Sequence, residues 1–330
     1  MEPDNSNAAA VWPMSADELA QVQAFNRKLA WLPRFRIRNR VAPLLIQTLL
    51  RAGQIGGPDL LRKYGLSAER RLIGAGGVQV PVRIIRPKGP AKGIVLDIHG
   101  GGWVIGNAQM NDELNIGIVN ACDVIVVSVD YRLAVTTPVQ GLMQDCLCAA
   151  RWLLSEQSGE FADLPVVVVG ESAGGHLAAA TLLALKQTPA LLQRVHGALL
   201  YYGVYDLTGT PSVRAAGPDT LVLHGPGMAD ALRLLTPELD DPQRQQPPLS
   251  PLYGDFTDMP PALMFVGELD PLKDDTLLLA ERWMKSSRDV QVHLVPASPH
   301  GFIHFPTRMA DSVLAYSRKW ITAQIDGWVR

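Results

Sequence analysis

Val166-Val167-Val168-Val169-Gly170-Glu171-Ser172-Ala173-Gly174-Gly175-His176-Leu177-Ala178-Ala179-Ala180 is the stretch that decides how this chain folds. The four valines form a short apolar run of the kind that fills a buried strand, and the alanine-rich stretch after Gly175 favours a helix. Between them the backbone must turn abruptly. Gly170 and Gly174 leave room for a turn too tight for most residues. Such a turn lifts the Ser172 hydroxyl into a cleft at the carboxyl end of the strand. The free N–H groups and dipole of a helix beginning at Ala173 favour negative charge beside it.

A bare Gly-x-Ser-x-Gly also marks ordinary turns, so the surroundings decide. Upstream, Gly93-Ile94-Val95-Leu96-Asp97-Ile98 reads as a second buried strand and runs straight into His99-Gly100-Gly101-Gly102-Trp103. Three consecutive glycines expose backbone N–H groups with no side chain in the way, which suits a developing oxyanion. Lipases and esterases carry such a loop together with the serine turn. Downstream, residues 262–267 read as a strand that ends near Asp270. Residues 290–295 alternate like another, before the loop Ser298-Pro299-His300-Gly301-Phe302. The order glycine cluster, Ser172, Asp270, His300 is that of the α/β-hydrolases. In this chemistry His300 accepts the serine proton during attack and returns it to the leaving alcohol, while Asp270 holds the imidazole in the right tautomer.

With these segments in place, the chain resembles the bacterial branch of the hormone-sensitive-lipase-like esterases, an α/β-hydrolase family. The matching pieces are His99-Gly100-Gly101-Gly102-Trp103, Asp130-Tyr131-Arg132-Leu133-Ala134, Gly170-Glu171-Ser172-Ala173-Gly174-Gly175, Ser250-Pro251-Leu252, Asp270-Pro271-Leu272 and His300-Gly301-Phe302, in the family's order. Two departures stand out. Val135-Thr136-Thr137-Pro138 follows where the family usually continues Pro-Glu, and Glu171 occupies a position that is often Asp.

The resemblance implies an α/β-hydrolase fold, a mostly parallel central sheet flanked by helices, with a helical cap. On that reading residues 1–68 supply one part of the cap and 205–248 the other, while 69–204 and 249–330 form the core. It implies a serine carboxylesterase that needs no cofactor and cleaves small, short-chain acyl esters through an acyl-enzyme. The oxyanion would be held by the N–H groups of Gly101, Gly102 and Ala173. It also implies a homodimer formed through the last strand and helix. Trp103 and Phe302 adjoin catalytic positions and are expected as pocket walls, with plain core packing as the alternative. His99 is expected to brace the glycine loop and Glu171 to support the serine turn; His176 and His304 are expected in structural or supporting roles. Two rival readings remain: acyl transfer, or hydrolysis of an amide, carbamate or lactone, by the same triad; and a non-catalytic small-ligand receptor on the same scaffold. Plant gibberellin receptors resemble this family but lack the catalytic histidine, and His300 is retained here.

Composition sets the outer bounds. The chain has 330 residues, 47% of them hydrophobic, and a formal net charge of −2. That is enough to bury a large core, and the overall charge carries no nucleic-acid footprint. Arg34, Arg36, Arg38 and Arg40 alternate in a basic run, read here as a solvated segment joining helices rather than an anion site. Cys122, Cys146 and Cys148 have no metal-ligand spacing, and no cluster of His, Cys or carboxylates reads as a metal site. They fit buried thiols of a reducing compartment. Met1-Glu2-Pro3-Asp4-Asn5-Ser6 lacks the basic-then-apolar pattern of a secretory leader, and no apolar run reaches membrane-span length. The expectation is a soluble, cytoplasmic protein.

The remaining pattern completes the architecture. Residues from 16 to 65 read as two or three helices, with Leu19, Val22, Phe25 and then Leu44, Leu45, Leu49 at helical spacing. Glu69 to Arg86 reads as a strand pair around Gly74-Ala75-Gly76-Gly77. After it strands and helices alternate, which implies a mostly parallel sheet covered on both faces. Tyr205 to Pro248 interrupts that alternation with turns and a short helix near Met228 to Leu235.

Overall fold

The apolar runs read from the sequence lie side by side in one sheet. The computed structural model describes residues 9–37, 41–287 and 289–327; the Met1–Ser6 stretch, and Arg38 and Arg40 of the basic run, lie outside them. The strands are β1 (Ala10–Val11), β2 (Ala68–Ala75), β3 (Val78–Ile85), β4 (Gly93–Ile98), β5 (Val124–Val129), β6 (Val166–Glu171), β7 (Val195–Tyr201), β8 (Ala262–Gly267) and β9 (Val290–Val295). Their spatial order is β1-β9-β8-β7-β6-β4-β5-β3-β2. Every pairing from β1 across to β5 is parallel; β3 alone runs antiparallel to both neighbours, β2 and β5. The outer edge of β9, through which a homodimer was expected, is paired over two residues by β1.

The helices in chain order are α1 (Ala16–Leu29), α2 (Val41–Gly53), α3 (Gly57–Lys63), α4 (Asp112–Cys122), α5 (Val139–Leu153) and α6 (Ala173–Leu185). They continue with the short α7 (Pro189–Leu192) and α8 (Pro211–Arg214), then α9 (Met228–Leu235), α10 (Asp241–Arg244), α11 (Lys273–Met284) and α12 (Arg308–Asp326). Side chains alternate across a strand, so a continuous apolar run feeds two cores at once. Val166 and Val168 join Leu177, Leu182, Leu279 and Trp283 on one face of the sheet. Val167 and Val169 join Ile116, Val119, Val313 and Ile321 on the other. Because β4, β6, β8 and β9 are parallel, their carboxyl ends open at one edge, and there the loops that follow them meet.

The N-terminal helices lie over that edge and are tied to the 205–248 segment by backbone pairing. Phe35 N–H donates to the Val222 carbonyl at 2.7 Å and His224 N–H to the Phe35 carbonyl at 3.0 Å. Arg34 donates to the carbonyls of Leu29, Leu32 and Thr220, so this member of the basic run holds a loop closed. Helix α2 is oriented against its composition. Gln47 is buried and exchanges both hydrogen bonds with one residue: its amide donates to the Gly106 carbonyl at 2.9 Å, and Gly106 N–H donates back at 2.7 Å. Leu44, Leu45 and Leu49, whose spacing reads as a core face, are exposed in consequence.

Candidate active site

Ser172 ends β6 and opens α6 with φ 52° and ψ −121°, a backbone conformation that L-residues rarely adopt and that costs of order 1–3 kcal/mol. The surroundings hold it there. Ser172 N–H donates to the Tyr201 carbonyl of β7 at 2.9 Å, and its own carbonyl accepts from His176 N–H at 3.1 Å. Helix α6 presses against β4 so closely that a Cβ on Gly174 would lie 1.9 Å from the Ile98 carbonyl oxygen. Glycine is therefore required at 174 by the packing of helix on strand.

Three side chains distant in sequence come together at this turn. The Ser172 hydroxyl lies 2.9 Å from His300 Nε2, and His300 Nδ1 lies 2.8 Å from Asp270 Oδ2. The second Asp270 oxygen accepts from Leu272 N–H at 2.8 Å, so the carboxylate is oriented from both sides. A carboxylate can only accept, which fixes the proton on Nδ1 and leaves Nε2 free to accept from the serine. Asp270 and His300 are buried, and the edge of Tyr202 packs on the imidazole with centroids 4.8 Å apart.

Opposite the serine, the loop after β4 turns through positive φ at Gly101 (102°) and Gly102 (58°). Among the described residues no protein acceptor takes the N–H groups of Gly101, Gly102 or Ala173. Tyr131 braces this loop: its hydroxyl donates to the His99 carbonyl at 2.7 Å, and its ring stacks on His99 at 4.1 Å. Burial depresses the pKa of His99 to about 4, so the ring is neutral, and Nδ1 donates to the Gly100 carbonyl. Sequence reasoning did not single out Tyr131, although it sits in the quoted Asp130-Tyr131-Arg132 block. Arg132 secures the same block on buried Asp145 through three hydrogen bonds of 2.8–2.9 Å.

The remaining predicted residues divide. Trp103 lines the cleft beside Ser172 and donates from its indole to His176 Nδ1 at 3.1 Å. His176 passes the bond on from Nε2 to the Leu249 carbonyl; burial lowers its pKa to about 4, and it works as a neutral brace. Phe302 does not line the cleft. It is fully buried in the core that holds Val313 and Ile321, where it packs on Tyr202, so the expectation of a pocket wall is replaced by core packing.

Glu171 turns away from the serine and accepts from His304 Nε2 at 2.6 Å and from the Tyr202 hydroxyl at 3.1 Å. Burial opposes ionisation of this carboxyl, yet the His304 charge and these hydrogen bonds outweigh it and bring the pKa down to about 2. Burial likewise works against the charged form of His304, and the Glu171 carboxylate overcomes it, raising that pKa. The two form an ion pair.

A cleft of about 530 Å³ leads to Ser172. Its walls come from three places: Phe35 and Ile37 before α2, Leu223, Met228 and Leu232 around α9, and Val204 and Leu272 of the core. Val135, one of the departures noted above, lines a neighbouring apolar cleft with Leu234 and Leu235. Among the described residues no three His, Cys, Asp or Glu side chains gather as a metal site. No helix there is long and apolar enough to cross a membrane.

A hydroxyl bonded to an imidazole, an imidazole held by a carboxylate and free N–H donors opposite form an arrangement suited to acyl transfer. Comparison with known proteins points the same way. Residues 95–304 match the family model described as alpha/beta hydrolase fold. Carboxylesterase NlhH of Mycobacterium tuberculosis is 31% identical over 260 residues, covering 75% of this chain and 78% of the relative. An esterase from the bacterial hormone-sensitive lipase family superposes with a TM-score of 0.74 at 26% identity, over 95% of this chain and 100% of that one. The esterase LipW from Mycobacterium marinum, at 23% identity, shares the fold with a TM-score of 0.80 over 93% and 96% of the two chains. Strand order, strained serine turn and these likenesses agree, and the chain belongs to the α/β-hydrolase family as a serine carboxylic-ester hydrolase of the bacterial hormone-sensitive-lipase-like group.

Proposed function

We propose that the chain hydrolyses small, apolar carboxylic esters with short acyl chains, using Ser172 as nucleophile, His300 as general base and then acid, and Asp270 to orient and stabilise the imidazolium. The observation that carries this reading is the unbroken chain of contacts from Ser172 Oγ to His300 to Asp270, at 2.9 and 2.8 Å. Attack of Oγ on the ester carbonyl passes the hydroxyl proton to His300. The tetrahedral oxyanion is received by Gly101, Gly102 and Ala173 N–H, donors worth roughly 2.7–4 kcal/mol each where one has been removed. Collapse expels the alcohol with the proton from His300, and water repeats the sequence on the acyl-enzyme.

The helices before residue 68 and the 205–248 segment act in this reading as a cap that shapes the acyl site. Phe35, Ile37, Leu223 and Met228 narrow the cleft, which supports short chains. A cytoplasmic setting fits Cys122, Cys146 and Cys148, each buried and free. A panel of aryl esters from acetate to decanoate tests the assignment. The expected profile peaks between acetate and butyrate and falls at least tenfold by octanoate; a flat or rising profile overturns the short-chain reading. Free acid as the main product with competing alcohol present is expected of hydrolysis; transfer would give the new ester. Absence of turnover on every ester would favour the receptor alternative.

A further inference from the structure

Helix α2 presents its apolar side to solvent. Each residue rotates the helix by about 100°, so Leu45 and Leu49, two positions before and after Gln47, stand roughly 160° away from it. Gln47 is anchored on Gly106 inside; Leu45 and Leu49 are 66% and 73% exposed. Trp31, just after α1, is 90% exposed, and Ile55 is 81% exposed. Side chains of this size in one segment expose more apolar surface than scattered surface residues account for.

Charge gathers in the same segment. Between Arg27 and Lys63 lie nine of the chain's 30 Lys and Arg residues and one, Asp59, of its 32 acids, so the balance of the molecule is acidic. Arg27, Lys28, Arg36, Arg51 and Lys63 are exposed and have no carboxylate partner among the described residues. Exposed large apolar groups, an exposed tryptophan and unneutralised basic residues are the composition of a face that lies in the headgroup region of an anionic lipid surface. The basic excess of this segment on an otherwise acidic molecule selects an anionic occupant.

The face also adjoins an entrance. An apolar groove of about 770 Å³ runs between Leu32, Pro33, Ile46, Val222 and Phe305, and its wall includes Phe35. Phe35 lines the Ser172 cleft as well, so one ring separates the groove from the catalytic cleft. We infer that the α1–α3 face docks the protein on anionic phospholipid bilayers as a peripheral, non-spanning contact, with this groove turned toward the lipid. The docking itself does not depend on which ester is cleaved.

Flotation of the full chain with vesicles of phosphatidylcholine containing phosphatidylglycerol tests it, with pure phosphatidylcholine vesicles alongside. Binding is expected with the anionic vesicles and should weaken as salt rises from about 0.1 to about 0.5 M, because screening shortens the reach of exposed charges. Leu45→Ser/Leu49→Ser should lower partitioning at least tenfold while hydrolysis of a water-soluble aryl acetate is unchanged, which also reports folding. Arg51→Glu/Lys63→Glu, a pair outside the apolar face, should weaken binding to anionic vesicles in the same way. Absence of flotation of the wild type, or flotation of both double variants equal to that of the wild type, overturns the inference. So does a wild-type dimer in sedimentation that the leucine variant dissociates, because the face would then belong to a second copy.

Discussion

Ser172 holds a positive φ without being glycine, and its hydroxyl and backbone are both committed to a single geometry. Ser172→Ala keeps that backbone and removes the proposed nucleophile; ester turnover is expected to fall about 10⁶-fold with an unchanged fold, read by burst kinetics and circular dichroism. Glu171 acts at one remove. Its carboxylate holds the Tyr202 hydroxyl, and the Tyr202 ring rests on His300. Glu171→Gln is expected to lower kcat about tenfold, roughly 1.4 kcal/mol, with KM unchanged. A variant with full kcat would show that the imidazole is positioned without it. The ion pair also has a pH signature. The raised His304 pKa stabilises the fold below its ordinary 6.5 and loses that effect as pH climbs through the folded value. The depressed Glu171 pKa stabilises above its ordinary 4.5 and loses the effect as pH falls toward about 2. The melting-temperature gap between wild type and His304→Gln should therefore be widest between pH 4.5 and 6.5 and close on both sides. Ser172, Asp270 and His300 were legible because each follows a recognisable strand. The Glu171–His304 pair was not, since their 133-residue separation carries no local pattern.

At the scale of elements, the turn from β6 into α6 depends on how closely that helix approaches β4. Gly174→Ala would set a Cβ 1.9 Å from the Ile98 carbonyl oxygen and 2.5 Å from that of His99, both backbone atoms that cannot rotate aside. A loss of roughly 3 kcal/mol or more is expected, as a lower urea midpoint; a neutral substitution would mean that the helix can slide. The strands were readable because their valine and isoleucine runs are long enough for burial on both faces. Helix α2 itself was readable from its spacing, but the side it turns inward was not. Its leucines have helical spacing, but the two hydrogen bonds that Gln47 exchanges with the N–H and C=O of Gly106 set which side turns inward, and spacing does not encode that choice. Phe302 shows the converse. Proximity in sequence to His300 placed it near the cleft, whereas the left-handed turn at Gly301 (φ 75°) sends it into the core.

On the scale of the whole molecule, the sheet edge brings Ser172, Asp270 and His300 together, and the segments over it supply Phe35, Ile37, Leu223 and Met228 to the cleft walls. The mostly parallel direction of the strands followed from their alternation with helices, whereas their spatial order did not. The pairing of Phe35 with Leu223 did not, because isolated bridges leave no periodic trace. Arg34→Ala removes the donors that close the loop onto Leu29, Leu32 and Thr220; the expected outcome is a several-fold higher KM with little change in kcat, measured by steady-state kinetics on an aryl butyrate. The grip of Gln47 on Gly106 has a dynamic corollary. Since one amide proton is shared between helix α2 and the loop after β4, that proton is shielded from solvent only while the two ride together. Its hydrogen–deuterium exchange is thus a built-in clock for their separation, and, if α2 belongs to the proposed cap, a bound transition-state mimic should make it tick more slowly.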